Sequence, residues 1–87
     1  METALIAFSS STSANHLKRL AQEQGIRGVT LGQTPRAISE NGCTYSVRAP
    51  LGALETLLSL SAEYRISHGR IYRETTDAFG RKFYQQM

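Results

Sequence analysis

The chain has 87 residues, with ten basic and seven acidic side chains, one cysteine and no tryptophan. That length suits one small domain with a modest core, and one cysteine excludes an intrachain disulfide and a zinc site built of cysteines alone. The charge of +3 is confined to one end: residues 1–64 carry five basic and five acidic groups, whereas residues 65–87 carry Arg65, Arg70, Arg73, Arg81 and Lys82 against Glu74 and Asp77. A body balanced in this way is a poor nucleic-acid surface.

No apolar run nears the roughly 20 residues that span a bilayer. The opening Met1-Glu2-Thr3-Ala4 lacks the basic start of a signal peptide, and Asn15, His16, Lys18 and Arg19 interrupt any apolar region after it. A cytoplasmic, reducing compartment with no membrane partner is the expectation. Cys43, His16 and His68 have no recognised metal-ligand spacing, so neither a metal nor a cofactor is expected.

Thr3 to Ser9 is apolar with weak alternation and suits a central strand. Ser9-Ser10-Ser11-Thr12-Ser13 ends it, because hydroxyl side chains favour helix N-caps over strand interiors. Ala14, Leu17, Leu20 and Ala21 recur at helical spacing, which predicts a helix near 13–24 with Gly25 as its stop. Ile26 to Leu31 reads as a second strand broken by Gly28, and Cys43 to Ala49 as a third. In that third strand Cys43, Tyr45 and Val47 share one face, and Thr44, Ser46 and Arg48 the other. Pro50 suits the first turn of a helix over 50–64, with Leu51, Leu54, Leu57 and Leu58 as its buried stripe. His68 to Glu74 reads as a fourth strand.

The order βαββαβ predicts an α+β, ferredoxin-like sandwich over residues 1–74: a four-stranded antiparallel sheet, order 4-1-3-2, with two helices on one face. Residues 75–87 have no firm period and read as a basic C-terminal tail or a short helix.

This topology brings three distant segments to one rim: the serine-rich helix start, the Thr34–Cys43 loop, and Ser67-His68. In that loop Thr34 and Pro35 shape the entry and Asn41-Gly42 a turn before the thiol. A helix N-terminus carries about half a positive charge. Ser11 and Ser13 at that helix start, together with Arg36, could hold the Cys43 sulfur as a thiolate, the reactive form of the side chain. The alternative is that Cys43 is a small buried hydrophobe beside Tyr45 and Val47. His68 is a candidate for proton transfer or an ordinary edge-strand histidine. The triad, phosphate-loop and Cys-x-x-Cys templates all fail.

Leu5-Ile6-Ala7-Phe8-Ser9, Ala14 through Leu20, Gly25-Ile26 and above all Thr34-Pro35-Arg36-Ala37-Ile38-Ser39 followed by Cys43 resemble the selenium/sulfur carrier protein-like family of small bacterial domains. The resemblance runs from about Leu5 to Tyr72. It implies a compact α/β domain whose cysteine carries sulfur or selenium, with a persulfide donor or sulfurtransferase-type protein as partner. Family loops often read Cys-Gly, where this one reads Gly42-Cys43-Thr44. The resulting expectation is a carrier or accessory protein more than a turnover enzyme, with Cys43 as acceptor. The alternative is a non-catalytic regulatory or interaction module of ferredoxin-like fold, which also fits a homo-oligomer. Nucleic-acid binding ranks last, since the third strand offers one tyrosine and no aromatic platform.

Overall fold

A computed structural model describes residues 2–38 and 44–87. Gly42 and Cys43 lie outside the described residues. The elements are strand β1 (Thr3–Phe8), helix α1 (Ser11–Glu23), β2 (Thr30–Gln33), a 3-10 turn at Arg36–Ile38, β3 (Tyr45–Pro50), a second 3-10 turn at Leu51–Ala53, α2 (Leu54–Glu63), β4 (Ile71–Thr76) and β5 (Lys82–Gln86). All pairings are antiparallel and the sheet order is β2-β3-β1-β4-β5.

The expected order 4-1-3-2 is therefore present, but the sheet has five strands, not four. The extra strand is Lys82–Gln86, where a tail or short helix was expected. A turn at Asp77–Gly80 folds it back along β4: Asp77 Oδ1 accepts the N–H groups of Phe79 and Arg81, each at 2.9 Å, and Gly80 adopts the left-handed φ of 81°. The second strand also lies later than Ile26–Leu31. Gly28 has φ 79°, which breaks an extended run, so pairing begins only at Thr30. Pro50 is both the last residue of β3 and the N-cap of the 3-10 turn that runs into α2 at Leu54, and β4 begins at Ile71 instead of His68.

β1 is the central strand, and Ala4 to Phe8 are all buried. Its two faces meet different partners. Ile6 and Phe8 join Leu17, Leu20, Val47, Ala49, Leu57 and Leu60 in the main core beneath the helices. Leu5, on the opposite face, packs with Ile38 and Tyr72, and Tyr84 leans against them. Burying one such leucine stabilises by about 1.5–3 kcal/mol.

Both helices end in the same way. After α1, Ile26 donates to Ala21 O at 3.0 Å and Gly25 to Gln22 O at 3.1 Å, with Gly25 at φ 77°. After α2, Ile66 donates to Ser61 O at 2.8 Å and Arg65 to Ala62 O at 3.4 Å, with Arg65 at φ 55°. These are paired Schellman ends, each followed by an isoleucine turned into the core. At the other end of α1, Ser10 is the N-cap and its hydroxyl accepts from Ser13 N–H at 3.4 Å.

Candidate functional site

The sequence puts the cysteine in the connection between β2 and β3, and the described residues on either side form a closed neck. Thr34 N–H donates to Thr44 C=O at 2.9 Å, continuing the β2–β3 ladder by one rung. The Thr34 and Ser46 hydroxyls bond to each other at 2.7 Å, and both residues are buried. A buried hydroxyl needs such a partner, because leaving it unpaired costs about 1–3 kcal/mol. Beyond the neck, Ile38 N–H donates to Pro35 C=O at 3.1 Å and tightens the 3-10 turn.

That turn does not stay at the edge of the sheet. Ile38 is buried against Leu5 of β1 and Tyr72 of β4, on the face opposite the helices. The segment thus starts at edge strand β2 and straps across the helix-free face to the middle of the sheet, a reach of roughly two strand spacings of about 4.8 Å each. The apolar anchor leaves Arg36 and Ala37 exposed.

The sequence candidates distribute as follows. Strand register sets Phe8 against Tyr45 and Tyr45 against Gln33, so Ser10, Thr34 and Thr44 all follow or precede one end of the sheet. His68 is at the same end: its ring meets Phe8 edge-on with centroids 6.4 Å apart, and Nδ1 lies 2.8 Å from Gly69 O. Gly69 N–H in turn bonds Ala7 O at 2.7 Å. Ser11 is exposed and Ser13 half-buried in the first turn of α1, on the helix side. Arg36 belongs to the strap, whose anchor is on the other face. Among the described residues no hydrogen bond or ion pair joins Arg36 to Ser11 or Ser13.

A cleft of about 220 Å³ opens at the neck, lined by Gln33, Thr34, Thr44 and Tyr45. The polar groups of its described lining residues are hydroxyl and amide, and Thr44 directly follows Cys43 in sequence.

Three residues that the sequence did not single out as a group share the helix-free face. Arg48 Nη2 lies 3.1 Å from Glu74 Oε2, and Glu74 is only 5% exposed. That oxygen has no aligned hydrogen bond despite the short distance. Tyr84 stands directly across from Glu74. Burial, then a hydrogen bond and charge repulsion from Glu74, push the Tyr84 phenol above its usual range, against a smaller opposing pull from Arg48. Alternation had put Arg48 on the same face as Ser46; the missing signal was β5, without which Tyr84 has no address.

Among the described residues no group of three His, Cys, Asp or Glu side chains could hold a metal ion, and no helix is long and apolar enough to cross a membrane. No curated protein and no solved structure matches the chain. A family model described as "Putative Se/S carrier protein-like" matches residues 3–73, from the first strand into the fourth and through the whole strap. The chain belongs to that Se/S carrier protein-like family.

Proposed function

We propose that this protein carries sulfur or selenium on Cys43. The family match over residues 3–73 is the observation that supports the reading most. The clamped neck adds to it, since Thr44 is tied to Thr34 and a thiol one residue away gains a fixed point of attachment. In the first four strands and two helices we read a ferredoxin-like framework, with β5 as an addition.

In this reading the Cys43 thiolate attacks the outer sulfur of a donor persulfide, R–S–SH. A new S–S bond forms, giving Cys43–S–SH, and the donor S–S bond breaks with its electron pair leaving on RS⁻. An acceptor nucleophile then takes the outer sulfur and returns the Cys43 thiolate. The selenium case is the same displacement with selenium as the outer atom. Arg36 and the first turn of α1 at Ser11 to Ser13 act as the positive field, Thr34, Pro35 and Gly42 shape the loop, and His68 serves as the proton relay. The donor is a persulfide-bearing, sulfurtransferase-type protein.

The test is mass spectrometry of protein purified without reductant after incubation with a persulfide donor. The expected result is one added sulfur on Cys43, removed by dithiothreitol and absent from Cys43→Ser. A thiol that stays unmodified in the folded protein sinks the proposal.

A further inference from the structure

The outer edge of the sheet lies at β5, in a part of the chain beyond the family match. Its register is known: Thr76 faces Lys82, Thr75 faces Phe83, Glu74 faces Tyr84, Arg73 faces Gln85 and Tyr72 faces Gln86. Asp77 N–H bonds Arg81 O at 2.9 Å and Met87 N–H bonds Ile71 O at 2.9 Å. Hydrogen-bonded pairs alternate along an antiparallel ladder, so Phe83 and Gln85 also turn their main-chain groups toward β4. Lys82, Tyr84 and Gln86 therefore turn theirs outward, to an edge that no other described strand covers.

The same hairpin holds the most exposed large apolar side chains of the described residues: Phe79 at 84%, Met87 at 59% and Phe83 at 54%. Nothing in Lys82–Gln86 blocks the edge, which has neither proline nor bulge and carries one charge. The opposite edge, β2, is four residues with a glycine inside it.

We infer that β5 pairs antiparallel with β5 of a second copy of this chain, joining two sheets into one of ten strands around a twofold axis at Tyr84. Only a register centred on Tyr84 overlaps all five residues. It sets Tyr84 against Tyr84 and Lys82 against Gln86, so all outward main-chain groups of the strand find partners, six hydrogen bonds in all by the alternation rule. Parity keeps Phe83, Gln85 and Met87 on the helix side in both copies. Phe83 is then diagonal both to the second Phe83 and to the second Met87, within reach of aromatic side chains. One zigzag of Met87, Phe83, Phe83 and Met87 runs along the seam.

In this register the like charges of the two copies do not meet. Arg81 is already paired with Asp77 at 2.8 Å, which leaves Lys82 as the strand's own charge, and a second copy opposes it with uncharged Gln86. The register centred on Lys82 would set two ammonium groups face to face and is excluded. This inference does not rest on the carrier reading.

The test is sedimentation equilibrium of the full chain together with amide hydrogen exchange. The expected mass is twice 9.6 kDa, with slow exchange at the Lys82, Tyr84 and Gln86 amides as well as at Phe83 and Gln85. Phe83→Glu places two carboxylates diagonally across the seam, and Gln86→Pro removes an outward N–H at a position where an edge strand tolerates proline. Each should raise the dimer dissociation constant at least tenfold while the Ile6 and Val47 amides stay protected. A monomeric wild type, an assembly larger than two, a dimer whose Lys82, Tyr84 and Gln86 amides exchange freely, or a dimer indifferent to both substitutions would overturn it. Capture of a different protein by a monomeric chain counts against it too.

Discussion

Thr34 and Ser46 hold hands through their hydroxyls at 2.7 Å, twelve residues apart, beneath the strap that leads to the cysteine. Both residues are buried, and each hydroxyl has the other as its side-chain partner.

The first prediction follows from that pairing. Thr34→Val or Ser46→Ala alone leaves the other hydroxyl buried and unpaired and should cost about 1–2 kcal/mol. The double variant should be more stable than the sum of the two singles predicts, by about 1 kcal/mol. Urea denaturation of the four proteins closes the cycle; strict additivity would show that the bond is absent.

Arg65 gives the second. It sits at φ 55° in the position that Gly25 takes at the end of α1. A side chain there costs about 1–2 kcal/mol, part of which glycine returns as unfolded-chain entropy. Arg65→Gly should therefore stabilise by about 0.5–1 kcal/mol, and Gly25→Ala should destabilise by a similar amount. Thermal unfolding of both variants checks the pair.

Tyr84 supplies a pH prediction at the alkaline end. Its folded pKa lies above the ordinary value of 10.0 because of burial and the Glu74 carboxylate. The unfolded chain thus loses this proton first, and stability present below pH 10 should fall as pH rises through the folded value. Tyr84→Phe removes that proton, so its unfolding midpoint should decline less steeply over the same range.

Asp77 acts at the acid end. Desolvation works against its charge, but the N–H groups of Arg81 and Phe79 and the Arg81 guanidinium outweigh that and hold the carboxyl below its ordinary 3.8. Its contribution is present above pH 3.8 and lost as pH falls through the folded value. Amide exchange in the Thr76–Lys82 turn should accelerate there before the Ile6 and Val47 amides do; simultaneous loss would make the hairpin inseparable from the core.

For the thiol, Cys43 alkylation by iodoacetamide across pH should show a midpoint below the roughly 8.5 of a free cysteine. Arg36→Ala should raise it, because a nearby positive charge is removed. Slow alkylation at every pH until unfolding, with no response to Arg36→Ala, is the pattern of an inert buried cysteine and would end the carrier proposal.

The order of strands was legible because the local signals agreed with each other. Ala4 to Phe8 is apolar on both faces, as a central strand must be, and the serines and Gly25 bracket α1 with ordinary capping chemistry. The second strand was misplaced because Ile26 and Val29 are core residues outside any strand: Ile26 closes a Schellman end and Val29 is buried just before pairing starts. β5 was illegible for a different reason. Lys82, Phe83, Gln85 and Gln86 are all exposed, so no alternation of apolar and polar residues marks an edge strand with solvent on both faces. The strap posed a third problem. Thr34 and Ser46 look like ordinary polar residues, and only the sheet register reveals that they meet.

β1 also has a consequence for how the chain is made. It comprises residues 3–8, yet its two neighbours are β3 at 45–50 and β4 at 71–76. On the ribosome the innermost strand emerges before both of its neighbours and is enclosed only when the later one arrives. At about 5–20 residues per second, its apolar stretch waits several seconds for its second neighbour. During that interval the apolar side chains of Leu5, Ile6 and Phe8 stay uncovered, and a holdase that binds short apolar segments has a target there.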